Sequence, residues 1–286
     1  MTATEPAIIR PEGRDRLGEG VFWSGREQAL YWVDILGQQL YRHDPATGAT
    51  RHWAMPEMTG WLIERASGGF VAGLQSGFHA LSLDPFALTP LAAPEAHLPD
   101  NRMNDACADA AGRIWAGTMR VDCAGEAGAL YRLGADGAVA RMDAPYGIAN
   151  GPAISPDGVT LYHTDSAKGL VYRFALHGDG SLGPRETFLA FPEAWGSPDG
   201  MTCDAEGGLW IAHWGAGCVS RFLPDGTRAQ VITLPASQIT RPCFGGPGLD
   251  TLYVTSAADG VDEPLAGCVF ALSAPVRGLP ARSFAG

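Results

Sequence analysis

The 286-residue sequence has one lysine, Lys168, and no run of basic residues, so it offers no patch for nucleic acid or for an anionic membrane surface. Its 31 acidic and 20 basic side chains leave a formal net charge of −11, a balance that tolerates a cationic ligand such as a metal ion. No stretch approaches the roughly 20 apolar residues that a membrane-spanning helix needs. The segment Met1 to Arg14 carries Glu5 and Glu12, is broken by Pro6 and Pro11, and has no apolar leader core, which predicts a cytoplasmic protein. There is no C-x-x-C pair. Cys107, Cys123, Cys203, Cys218, Cys243 and Cys268 stand singly, and in a chain long enough to need no staples they read as small buried residues in a reducing compartment.

Familiar catalytic signatures are missing as well: no G-x-S-x-G, no H-E-x-x-H and no G-x-x-x-x-G-K-[ST]. Gly18-Glu19-Gly20 lacks the third glycine and the following helix of a dinucleotide fingerprint. The seven histidines show no ligand spacing. His163 and His213 lie in strand-like runs and are expected as core or channel-wall residues, with His213 also a candidate for lining a pocket. Most tryptophans are expected in packing, with Trp61 or Trp214 candidates for an apolar wall at the mouth of a site.

What is abundant is turn-forming residue. With 38 glycines, 21 prolines and 46% apolar content, the composition suits many short strands around a large core. One theme recurs six times, as ALYWVD, GFVAGL, RIWAGT, TLYHTD, LWIAHW and TLYVTS. The first large apolar residues of these runs are Leu30, Phe70, Ile114, Leu161, Leu209 and Leu252, so successive gaps are 40, 44, 47, 48 and 43 residues. Most copies are followed by a second run bearing an aromatic, such as QQLYRH or GLVYRF, as expected of adjacent antiparallel strands. No sustained i, i+3, i+4, i+7 apolar stripe supports the rival helical repeats. This period predicts an all-β, six-bladed β-propeller with four antiparallel strands per blade, filling about residues 17 to 273 of a single domain spanning 1–286. The segment around Ile8 and Ile9 is expected to add a strand to the last blade and close the ring.

The repeat also locates a site. Ten or eleven residues before each anchor stands a polar residue: Glu19, Thr59, Asn104, Asn150, Asp199 and Arg241. Ring symmetry would set these six side chains around the axis on one face. Asn-Gly and Asp-Gly also mark turns, and Asp157 and Asp225 are read as plain turns between strand runs. Asn150 and Asp199 differ, because each copy has its own later turn, at Ser155 to Gly158 and at Asp204 to Gly208. Two carboxylates near one axis, Glu19 and Asp199, call for a cation, and Asn150 can add an amide oxygen. An oxygen donor set favours one divalent ion of the Ca²⁺, Mg²⁺ or Mn²⁺ kind, with Fe²⁺ or Zn²⁺ left open. Such an ion polarises a carbonyl for attack by water, with Asp199 as base. Arg102 and Asn104, in DNRMND, would reach the same mouth to hydrogen-bond substrate; for Arg102 a surface ion pair with Asp100 or Asp105 is the competing reading.

At these residues the sequence resembles the gluconolactonase, regucalcin (senescence marker protein) and luciferin-regenerating-enzyme family. The matching segments are LGEGVFW, NRMNDACADAAGRIWAGTM, NGPAISPDGVTLYHTDS, SPDGMTCDAEGGLWIAHWGAGCVSRFLPDG and TRPCFGGPGLDTLYVTSA, spread in family order over nearly the whole chain. The resemblance, closest in look to bacterial sugar lactonases, implies a six-bladed propeller with one divalent metal. It implies ligation by Glu19, Asn150 and Asp199, Asp199 also as base, and substrate contacts from Arg102 and Asn104. Family members from animals carry an acidic substrate contact after the position of Met119; here the chain reads RVDCAGEAG, so Asp122 is the possible equivalent. The expected activity is hydrolysis of an aldono-1,4- or 1,5-lactone, such as a xylono-, arabinono- or gluconolactone, to the sugar acid by a monomer or weak homodimer. A promiscuous phosphotriester or ester hydrolase, and a non-enzymatic metal-binding propeller, are the alternatives.

Overall fold

The computed structural model describes residues 6–10 and 13–286, and its strands form six four-stranded antiparallel sheets. Blade 1 runs Gly18–Ser24, Ala29–Asp34, Gln39–Asp44 and Ala49–Ala54. Blade 2 runs Thr59–Glu64, Phe70–Leu74, Gly77–Leu83 and Phe86–Ala92. Blade 3 runs Asn101–Ala108, Ile114–Arg120, Gly128–Leu133 and Val139–Tyr146. Blade 4 runs Ala149–Ile154, Thr160–Asp165, Leu170–Ala175 and Glu186–Ala190. Blade 5 runs Ser197–Cys203, Leu209–Trp214, Cys218–Phe222 and Arg228–Thr233. Blade 6 takes Ile239–Gly245, Thr251–Ser256 and Phe270–Ser273 from the end of the chain and Ala7–Ile8 from its start. The pairing Ala7↔Ala271 and Ile8↔Phe270, with Ile9 N donating to Val269 O at 2.9 Å, is the closure expected at Ile8 and Ile9. It joins the two ends of the chain in one sheet and leaves the ring no open blade.

The six anchors all fall in second strands, whose two faces are buried between neighbouring blades. Three of these blades share a device the repeat theme did not announce. Trp32, Trp115 and Trp210, all fully buried, donate Nε1 to the carboxylates of Asp15, Asp109 and Asp204 at 2.8, 2.9 and 2.8 Å. The indole thus buries its large apolar surface while its one polar atom stays satisfied. Trp61 is instead an innermost-strand residue packed among Ile63, Phe78 and Met103, and it lines the cavity at the opposite end of the channel from the ring residues Glu19 and Asp199. Five of the six free cysteines are buried or half-buried, but Cys123 is exposed with φ 58°, contrary to the expectation of a buried residue. Among the described residues no helix is long and apolar enough to cross a membrane.

The innermost strands carry the site. In every one of them the register to the second strand slips where the polar ring residue stands: between Glu19 and Phe22, Thr59 and Trp61, Met103 and Ala106, Asn150 and Ala153, Pro198 and Met201, and Ile239 and Pro242. The Asn-Gly and Asp-Gly dipeptides of the ring are therefore bulges within strands, whereas Gly158 and Gly226 close the hydrogen-bonded turns expected at Asp157 and Asp225. A bulge leaves the ladder locally and re-aims its side chain, here away from the sheet face and toward the axis. The glycine that follows makes room: Gly20 has φ 57°, and a Cβ on it would stand 2.5 Å from the carbonyl oxygen of Gly60 in the next blade.

The C-terminal segment crosses the opposite end of the channel. Ala205 N donates to Arg277 O at 2.9 Å, Gly278 N to Leu249 O at 2.8 Å, and Phe284 N to Glu64 O at 2.8 Å, so the segment ties blades 5, 6 and 2 together. Leu279 to Arg282 cover the far end of the channel on the way.

Candidate functional site

A cavity of about 260 Å³ opens at the ring end of the channel, lined by Glu19, Arg102, Asn104, Asn150, Ser166 and Asp199 among others. Five of these were expected from the sequence, and they come from four different blades. All are nearly withdrawn from solvent, with Glu19 4%, Asn150 5% and Asp199 5% exposed. Thr59 and Arg241, the other two ring residues, do not line this cavity. Thr59 turns its hydroxyl to Glu57 O at 3.2 Å, and Arg241 lines the cavity at the far end of the channel.

A chain of hydrogen bonds fixes the neutral side. Arg102 Nη1 donates to Asn104 Oδ1 at 2.5 Å and to Met103 O at 3.0 Å. Asn104 Nδ2 donates to Asn150 Oδ1 at 2.7 Å and to Ala149 O at 2.8 Å. Asn150 Nδ2 donates to Ser166 Oγ at 3.0 Å, and Ser166 Oγ–H donates to Pro198 O at 2.6 Å. The chain thereby orients both amides and joins blades 3, 4 and 5. Ser166 carried no signal in the sequence, since it sits in a one-turn 3₁₀ helix, Ser166–Lys168, outside the repeat theme. The surface ion pairs considered for Arg102 go elsewhere: Asp100 lies 3.8 Å from Arg120, and Asp105 pairs with Arg241.

The acidic side is left under tension. Burial raises both Glu19 and Asp199, and the charge of Glu19 raises Asp199 further, while the guanidinium groups of Arg241 and Arg102 act on Glu19 in the opposite sense. Asp199 Oδ1 is buried and has no hydrogen-bond partner. An unpaired carboxylate oxygen, a second buried carboxylate close enough to repel it, and an amide oxygen at Asn150 make a donor set suited to a hard divalent cation. Among the described residues no three His, Cys, Asp or Glu side chains gather on one point; the Asn150 amide oxygen, which accepts from Asn104 Nδ2, is the neutral oxygen that could add to the two carboxylates.

Other expectations are placed differently. Asp122 is exposed, paired with Arg120 through Nε at 2.8 Å and Nη2 at 2.6 Å, and does not line the cavity; its neighbour Cys123 does. Trp214 lines the cavity, as one of the two tryptophans considered. His213 does not: it is buried, its Nδ1 2.8 Å from Trp195 O, and burial pushes it down to about 4. His163 is fully buried edge-on to Tyr146 at 4.5 Å, and burial lowers it to about 3, so of the two placements expected for these imidazoles both take the core.

The sequence pattern of the SMP-30/Gluconolactonase/LRE-like region matches residues 17–258. The 6-deoxy-6-sulfogluconolactonase of Pseudomonas putida is 38% identical over 293 residues, covering 100% of both chains. The pentonolactonase of Haloferax volcanii is 37% identical over 278 residues, covering 93% of each. Among solved structures, a calcium-binding protein, regucalcin from Agrobacterium tumefaciens, superposes with a TM-score of 0.94 at 30% identity, covering 99% of this chain and 97% of that one.

Proposed function

The chain belongs to the SMP-30/Gluconolactonase/LRE-like family, and on that premise we propose that it is a divalent-metal-dependent lactonase that hydrolyses a sugar lactone to the sugar acid. The observation that carries this reading is the free Oδ1 of Asp199, buried beside Glu19 in a cavity that Arg102, Asn104, Asn150 and Ser166 line together with the apolar Leu17, Met119, Ile148 and Trp214. The lactonase names of two similar proteins support the substrate class. Glu19, Asn150 and Asp199 would hold the ion. When bound, the ion polarises the lactone carbonyl and offsets the negative charge developing on its oxygen.

The rest of the chemistry belongs to side chains of this chain. With its unpaired Oδ1 toward the ion, Asp199 would use its uncoordinated oxygen to accept a proton from the attacking water. Water oxygen adds to the carbonyl carbon, the ring C–O bond breaks, and the proton held by Asp199 returns to the departing ring oxygen, which becomes a hydroxyl. Arg102 spends only Nη1 on protein acceptors, leaving its other N–H groups for substrate hydroxyls or the ring oxygen. Asn104 positions both Arg102 and Asn150 through its single amide. A sugar lactone differs from a phosphotriester in carrying several hydroxyls, and the Arg102–Asn104–Asn150 chain favours the sugar, whereas Leu17, Met119, Ile148 and Trp214 give the same cavity the apolar surface that an ester or phosphotriester would use.

The test is a pH-stat screen of xylono-, arabinono- and gluconolactones with metal-stripped protein, adding back Ca²⁺, Mg²⁺, Mn²⁺, Fe²⁺ or Zn²⁺ singly. Acid release that requires both a lactone and an added ion is the expected result. Equal rates with and without metal, or activity on phosphotriesters alone, would overturn the proposal.

A further inference from the structure

A second cavity, of about 500 Å³, opens between blades 2 and 3 and is lined among others by Glu57, Ser76, Glu95, Leu98, Arg102 and Thr118. Glu57 precedes the innermost strand of blade 2, Ser76 stands in the turn between that blade's second and third strands, and Glu95 belongs to the connection into blade 3. In an antiparallel blade the start of the innermost strand and the turn after the second strand lie at one end, so this cavity shares the ring end with the candidate site. Arg102 lines both cavities. It is 6% exposed and meets protein acceptors only through Nη1. A guanidinium withdrawn from water with N–H groups left over is a group that awaits a ligand.

The rest of the polar lining has the opposite character. Glu57 accepts from the Ser76 hydroxyl at Oε1 and from Ser76 N at Oε2, 3.1 Å away. Glu95 accepts from the hydroxyls of Thr118 and Tyr131 at Oε1, at 2.8 and 3.0 Å, and from Asn101 Nδ2 at Oε2, at 2.9 Å. The hydroxyl donors of the lining, Ser76 and Thr118, are thus spent on its two carboxylates. Each carboxylate oxygen has two lone pairs, so both oxygens of Glu57 and Oε2 of Glu95 keep room for a further donor. Such a wall selects a ligand that donates. A sugar hydroxyl does; a carboxylate, sulfonate or phosphate only accepts, and it meets two like charges against the one guanidinium.

We propose that this cavity is a subsite for the exocyclic, hydroxyl-bearing carbons of the lactone, and that Glu57 and Glu95 make the protein selective for lactones whose far end is uncharged. The inference rests on the lactonase reading. A lactone with its carbonyl beside Asp199 and its ring against Arg102 carries its exocyclic carbons past the guanidinium into the second cavity.

Glucono-1,4-lactone and glucaro-1,4-lactone test this, because they share one ring and differ at C6, a hydroxymethyl group in the first and a carboxylate in the second. Both are offered to the protein with the divalent ion that supports the fastest turnover, and kcat/KM is measured for each. Wild type is expected to prefer the neutral lactone by about tenfold or more, with the preference shrinking in high salt. Glu57→Gln removes one charge at nearly constant shape and is expected to cut that ratio by about threefold or more, chiefly through KM of the anionic lactone. A merely structural Glu57 would lower both kcat/KM values together and leave their ratio alone. Glu95→Gln, which keeps one acceptor oxygen for Thr118 and Tyr131, serves where Glu57→Gln fails to fold. A wild-type ratio near one, or a ratio that the folded variant leaves unchanged, overturns the subsite and leaves the lactonase reading intact. Wild type that hydrolyses no lactone overturns both.

Discussion

Replacing Asp199 by asparagine takes a carboxylate away from a place where burial and the charge of Glu19 both oppose its ionisation, and keeps the shape. In the metal-free protein the folded-state pKa of Asp199 lies well above 3.8, the ordinary value for aspartate. The folded protein therefore keeps a proton that the unfolded chain has lost. Stability from this group is complete below that ordinary value and declines as pH rises toward the folded-state pKa. Each pH unit over which the extra proton is retained costs wild type about 1.4 kcal/mol. Asparagine removes this dependence and also relieves Glu19 of a repelling neighbour. In urea unfolding with EDTA at pH 5, 6 and 7, Asp199→Asn should be the more stable protein at pH 7, by about 1.4 kcal/mol or more, with the gap narrowing toward pH 5. Saturating Mn²⁺ should reverse the order, because only wild type keeps its full set of ligands. Parallel pH dependences for the two metal-free proteins would refute the claim that Asp199 is held against its charge.

Arg102→Ala removes a buried guanidinium with free N–H groups beside the cavity; about 1.5 to 3 kcal/mol of substrate binding should be lost, raising KM about tenfold to a hundredfold with a smaller change in kcat. Gly20→Ala puts a methyl group against Gly60 O at a residue with φ 57°, so it should cost about 2 kcal/mol in urea unfolding and weaken Mn²⁺ binding by displacing Glu19. Asp204→Ala strands Trp210 Nε1 and Arg221 Nε, which lie 2.8 and 2.6 Å from Asp204 Oδ2, and should cost about 3 to 5 kcal/mol by thermal or urea unfolding, whereas a change on a solvated turn such as Asp225→Ala should cost far less.

Blade architecture was legible because a propeller writes its fold in one dimension: six copies of a buried second strand repeat the same apolar anchor, and each anchor fixes where the innermost strand begins. Glu19, Asn104, Asn150 and Asp199 were found that way. The same periodicity could not say which ring residues turn to which end of the channel, since a bulge leaves no mark in the apolar pattern. Arg241 and Thr59 share the spacing of the cavity residues and line neither side of that cavity. Ser166 was missed because its role depends on a single turn after a strand, and the Asp105 to Arg241 pair because it joins residues 136 positions apart in blades 3 and 6. The exposure of Cys123 and the pairing of Asp122 with Arg120 come from an irregular segment after Met119, where no repeat constrains the chain.

Crystals of the protein soaked in Mn²⁺ and measured at an energy where manganese scatters anomalously would test the central claim most directly. The account predicts one strong anomalous peak in the ring-end cavity, within about 2.5 Å of carboxylate oxygens of both Glu19 and Asp199 and of the Asn150 amide oxygen. A cavity without a peak, or a peak that touches only one of the two carboxylates, would contradict it.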